Sequence, residues 1–134
     1  MATVPLIQDH DASTEVQAVF DDIRATRGSD FINNFWRALA HDPELLRATW
    51  DRLKVVMGPG TLDPLVKEMI YIAVSTANGC SYCIHSHTAA AEAKGMTPEQ
   101  HGELLSVIGM ASTTNALVTG LQVPVDSAFE KDGA

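Results

Sequence analysis

Cys80 and Cys83 are the two cysteines of the chain, and both fall in one short run, Cys80-Ser81-Tyr82-Cys83-Ile84-His85-Ser86-His87. Two thiols and two imidazoles so close together invite a zinc reading. On an α-helix, at about 100° per residue, Cys83 lies about 60° from Cys80 and His87 about 20°, while His85 points about 140° away. Three of the four share a face, but a closed tetrahedral site needs a fourth ligand, and no second cysteine pair supplies it. Thiol chemistry suits the spacing better. Cys83 and His87 stand at i and i+4, with Cβ atoms roughly 6 Å apart. An imidazole there can take the thiol's proton directly or through a water. Both cysteines fall in the first turn of the expected helix, where free N–H groups and the macrodipole favour thiolate. A thiolate attacks a peroxide oxygen to give a sulfenic acid, and a second thiol one turn away condenses with it to a disulfide. As a structural staple the pair would contribute little: closing so small a loop is worth roughly 2 kcal/mol at best.

Glu68 is the residue that could complete such a site. It precedes the apolar stretch Met69-Ile70-Tyr71-Ile72-Ala73-Val74, where a carboxylate needs a partner. If Asn78-Gly79 is a tight turn between antiparallel helices, Glu68 and His87 differ in height by only ~3 Å at about 1.5 Å per residue. Glu68 is then expected to orient His87, and His87 to deprotonate Cys83, an orienter–base–nucleophile arrangement. The residues alone leave the attacking cysteine open. Position nearest the helix start favours Cys80, and the histidine at i+4 favours Cys83.

Glu68, an eleven-residue gap, Cys80-x-x-Cys83, three residues and His87 together resemble the signature of the AhpD-like alkylhydroperoxidases of the carboxymuconolactone decarboxylase superfamily. The likeness covers Gly58 to Gly95, GPGTLDPLVKEMIYIAVSTANGCSYCIHSHTAAAEAKG; outside that stretch it is one of length and helix content only. The resemblance implies Cys83 as the peroxidatic cysteine, Cys80 as the resolving one, and Glu68 with His87 as a proton relay through water. It further implies a hydroperoxide substrate, recycling by an external dithiol reductant or thiol adaptor protein, and a homo-oligomer, as a trimer or hexamer. The sequence departs from the family pattern at Tyr82, where the best-known members carry a second histidine; Tyr82 is kept as an accessory residue that gates the thiols or hydrogen-bonds near them.

The elements that must position these residues read as helices throughout. Ser13 or Thr14 can cap a first helix with the apolar stripe Val16, Val19, Phe20 and Ile23, ending at Gly28. A short segment from Phe31 to Ala40 follows, with Phe31, Phe35, Trp36 and Leu39 on one side. Asp42-Pro43 and Asp63-Pro64 are N-cap and first-turn signals for helices ending near Met57 and Ala77. A helix from about Cys80 ends at Lys94-Gly95. Thr97-Pro98-Glu99-Gln100 is a capping-box start for a helix to about Ile108, and a last one runs from about Ser112 to Leu121. No strand pattern appears. The expectation is an all-α bundle of six or seven helices, with an antiparallel hairpin carrying the CxxC motif, as one domain over 1–134.

Length and composition set the outer limits. The chain has 134 residues, 46% apolar and 19% charged, which excludes a disordered chain and suits one domain. Nine Lys and Arg against seventeen Asp and Glu give a net charge of −8, so nucleic acid and anionic membrane partners are not expected. The longest unbroken apolar run, Met69 to Val74, is far too short to span a bilayer. Asp9 and Asp11 interrupt any leader-like start, so a cytoplasmic protein is expected. No metal, haem or flavin is implied, and the chain carries no phosphate loop or dinucleotide fingerprint. The stretches Leu65–Ala77 and beyond Val107 are apolar nearly all round, as helices central in a core or shared at a subunit interface are; in a chain this small the second is favoured. Three rivals stand beside thiol peroxidase chemistry: a cysteine-independent decarboxylase or lactone-processing enzyme of the same superfamily, a non-enzymatic redox-sensing or binding oligomer, and a zinc module.

Overall fold

Side-chain caps set where the helices begin. The computed structural model describes residues 1–130, and among them six α-helices and two short 3-10 turns form with no strand. The helices are α1 (Thr14–Arg27), α2 (Asn34–Leu39), α3 (Pro43–Met57), α4 (Pro64–Asn78), α5 (Ser81–Ala93) and α6 (Pro98–Leu121). Ser13 accepts from the Val16 N–H, Asp42 from Leu45 and Asp63 from Leu65, each satisfying a donor that the first helical turn leaves unpaired. Thr97 and Gln100 form the reciprocal capping box that starts α6. The chain divides into two compact units, Met1–Pro59 and the part from Gly60 onward.

In the first unit, α1, α2 and α3 enclose a core of Val16, Val19, Phe20, Ile23, Ile32, Trp36, Leu46 and Trp50. Trp36 and Trp50 meet edge to face, with centroids 5.5 Å apart, a geometry that aligns ring edge with ring face. The buried Trp50 indole donates to Asp22 at 2.7 Å, and Lys54 reaches the same carboxylate oxygen. The sequence expectation needs correction here. α2 spans only Asn34–Leu39, and Phe31 and Phe35 are exposed. Trp36 is buried and Leu39 packs against the core beside it, while the Phe35 ring lies 4.9 Å from that of Trp36 and stays partly open to solvent.

In the second unit, α4 and α5 form the expected antiparallel hairpin. Gly79 takes the left-handed conformation, φ 70°, and its N–H bonds back to the carbonyls of Ser75 and Thr76. A residue with a Cβ is disfavoured in that conformation. The Cys80 N–H continues the turn to the Ser75 carbonyl at 2.9 Å, and α5 starts at once. Ala91 is fully buried against Ile72 and Met96, with Leu65, Met69 and Leu104 packed around them. A small residue at that point lets the helices approach closely.

α6 is a single helix where the sequence suggests two. Gly109 and the Ala111-Ser112-Thr113-Thr114 stretch look like punctuation, yet a glycine inside a helix costs only about 1 kcal/mol, and Thr113 and Thr114 return their hydroxyls to carbonyls of the preceding turn. Only His101, Leu104 and Ile108 of α6 are partly covered; the rest is exposed. The helix is long and apolar enough to cross a membrane by length and composition alone. A search for an unbroken apolar run passes over it because Ser, Thr, Gly and Asn are interspersed.

Candidate active site

Glu68 is held inside the second unit, 4% exposed, one turn into α4. Two donors from α5 and its end meet it. His87 Nδ1 lies 2.7 Å from Oε2, and Lys94 Nζ lies 3.0 Å from Oε1. Burial pushes the carboxyl up, but the hydrogen bonds from His87 and Lys94 and the Lys94 charge outweigh it, holding Glu68 below its ordinary value. An ionised carboxylate only accepts, so Nδ1 carries a proton toward it. In the neutral ring that leaves Nε2 as the lone pair able to take a proton.

Tyr71 holds the other dimension of the imidazole. Its ring stacks on His87 with centroids 3.6 Å apart and planes 19° from parallel. Glu68 and Tyr71 are i and i+3 on α4 and so share a face. One fixes the ring's edge and the other its plane. Tyr71 and Lys94 are the two residues here that sequence reasoning missed. Tyr71 reads as one more member of an apolar stretch, although its i+3 spacing from Glu68 was the available signal. Lys94 reads as an end-of-helix marker, although its i+7 spacing from His87 puts it two turns on along the same face.

The cysteines stand at the start of α5. Cys80 and Cys83 are joined by a disulfide, with Cα atoms 5.4 Å apart. Cys80 is the N-cap, and its sulfur accepts the Cys83 N–H at 3.3 Å. The cap position thus belongs to Cys80, and only Cys83 is inside the first turn. Cys83 lies one turn before His87 on α5, and both are half-buried. His85 faces elsewhere, as its angle predicts: it is exposed, with Nδ1 donating to the Ser81 carbonyl at 2.8 Å. Tyr82 is exposed beside the pair. Among the described residues no three His, Cys, Asp or Glu side chains cluster as a metal ion would need.

So the α4–α5 hairpin gathers Glu68, His87, Cys80 and Cys83, with Tyr71 and Lys94 buttressing the first two. Comparison with known proteins gives the family. The Carboxymuconolactone decarboxylase family matches residues 43–126. The chain is 68% identical to a solved structure, the alkylhydroperoxidase AhpD core of Rhodospirillum rubrum, with a TM-score of 0.95 over 98% of this chain and 99% of that one. It is 36% identical over 75 residues to the alkyl hydroperoxide reductase AhpD of Solibacter usitatus, covering 56% of this chain and 40% of that protein. The AhpD of Mycobacteroides abscessus is 38% identical over 69 residues, covering 51% of this chain and 39% of that protein. The matched segments therefore span about two fifths of those two relatives' length. By sequence, fold and the CxxC pair at the head of its hairpin helix, the chain belongs to the carboxymuconolactone decarboxylase family, as an AhpD-like member.

Proposed function

We propose that the chain is a thiol-dependent hydroperoxide reductase, and the observation that carries this reading is a redox-closed Cys80–Cys83 pair on the same helix as a histidine bonded to a buried, ionised glutamate. In the reduced form, His87 Nε2 takes the Cys83 proton, by way of water, while Glu68 stabilises the resulting imidazolium. The Cys83 thiolate attacks the terminal oxygen of an alkyl hydroperoxide. The O–O bond breaks, Cys83 becomes a sulfenic acid, and the alkoxide leaves as the alcohol with the proton from His87. Cys80 then attacks the sulfenic sulfur, water departs, and the disulfide forms. In the disulfide the Cys80 sulfur accepts the Cys83 N–H; kept on reduction, that bond would favour the thiolate needed for attack. An external dithiol or a thiol adaptor protein returns the pair to the reduced state. A reducing compartment, the cytoplasm, fits that cycle, which needs no metal, haem or flavin.

Reduced protein given one equivalent of cumene hydroperoxide is expected to lose both thiols and ~2 Da of mass. Cys83→Ser abolishes the loss, Cys80→Ser stops it at the sulfenic acid, and His87→Ala slows it on the order of 10²-fold or more. Thiols that persist through prolonged exposure would sink the reading. Activity retained in a variant without cysteines would point instead to cysteine-independent decarboxylase or lactone chemistry.

A further inference from the structure

Glu68 can orient His87 only if its own carboxylate is held still. A carboxyl group turns about its last side-chain bond and offers two oxygens. A single donor does not fix which oxygen faces which way. Here the second oxygen is taken: Lys94 Nζ grips Oε1 at 3.0 Å while His87 Nδ1 meets Oε2 at 2.7 Å. Lys94 is the C-cap of α5, and its N–H bonds back to Ala90 and Ala91, so its backbone is fixed by the helix end while its long side chain turns inward. A cation at a helix C-terminus is favoured by the macrodipole, so the position suits a lysine twice over.

The charges matter as much as the geometry. A base must begin unprotonated at the nitrogen that will accept. A buried carboxylate facing only an imidazole would be balanced by a proton on that imidazole, which blocks Nε2. Lys94 supplies the positive charge instead. The groups facing Glu68 from α5 and its cap are His87 and Lys94, and Tyr71 lies one turn on along α4. The titratable residues of α6 nearest its start, Glu99, His101 and Glu103, make no ion pair or hydrogen bond to the carboxylate.

We propose that Lys94 is a positioning residue of this site: by holding the outer oxygen of Glu68 and balancing its charge, it keeps His87 oriented and free to accept a proton, and so sets the pH below which thiol oxidation stops. The inference rests on the hydroperoxide reductase reading above.

The experiment is the pH profile of thiol loss with cumene hydroperoxide for the wild-type chain, Lys94→Met and Lys94→Arg. Beside it, the Glu68 carboxyl is titrated by carbon NMR in the reduced protein. Lys94→Met is expected to move the acid-side midpoint of the rate to higher pH, by on the order of one unit, with the Glu68 titration moving the same way. Lys94→Arg is expected to restore both. A Lys94→Met profile lowered equally at every pH, with its midpoint and the Glu68 titration unchanged, overturns the proposal and leaves Lys94 a structural ion pair. Failure of Lys94→Arg to restore the midpoint overturns it too. If wild-type thiols never respond to peroxide, the reductase reading falls, and the Glu68 titration still decides separately whether Lys94 governs the carboxylate.

Discussion

Glu68 stays ionised in an apolar helix because two donors converge on it, and this makes its contribution to stability depend on pH. Its carboxyl lies below the ordinary value in the folded chain. The contribution is therefore present at neutral pH and lost as pH falls through that depressed value. Glu68→Gln is expected to cost about 1–3 kcal/mol at neutral pH, with the gap to wild type shrinking as pH falls from the ordinary carboxylate range through the depressed value of Glu68. Urea unfolding of both proteins across that range checks it; a constant gap would mean that the Glu68 carboxyl titrates alike in the folded and unfolded chains. Much of this residue-scale picture is legible in the sequence, since an acid beside a long apolar stretch needs a partner and helix rise alone brings His87 to its level. Lys94 is not legible that way. A four-carbon side chain reaches several ångströms in any direction, so its register does not fix what its end will meet.

At the scale of elements, the hairpin depends on one backbone conformation. Gly79 sits at φ 70°, and a Cβ built there meets nothing within 4 Å. A substitution would therefore act through the backbone alone. Gly79→Ala is expected to lower stability by about 1–2 kcal/mol, while Gly79→Asn, better suited to the left-handed region, should lose less; thermal unfolding of the pair separates them. The caps that begin α1, α3, α4 and α6 are legible because each rests on one short polar side chain and its immediate neighbours. Two features are not. The continuity of α6 through Gly109 goes against local punctuation, because a weak propensity penalty is spread over a long run of backbone bonds. Nor is the exposure of Phe31 and Phe35 legible, because apolar spacing alone does not say which side chains a neighbouring element covers.

At the scale of the molecule, α4 presents Val66, Ile70 and Val74 to solvent, and α6 presents Val107, Met110, Leu117, Val118 and Leu121. Exposed apolar surface of this extent, on these two helices, is what a subunit contact would cover. A second copy of the chain is the occupant we expect, in keeping with a trimer or hexamer. Val107→Glu with Val118→Glu is expected to reduce the assembly to smaller species by light scattering at equal concentration, without loss of helix content. An unchanged molar mass would place the subunit contact elsewhere, and recovery with detergent or lipid vesicles only would point to a membrane instead. The residues of the site have a different distribution. Glu68, Tyr71, Cys80, Cys83, His87 and Lys94 all lie on or cap two consecutive helices joined by one tight turn, well inside the matched span 43–126. Contacts so near in sequence close with little loss of chain entropy and form early. On the proposed reading such a stretch is portable in principle: one short insertion would bring orienter, base and both sulfurs into another helical scaffold already in register.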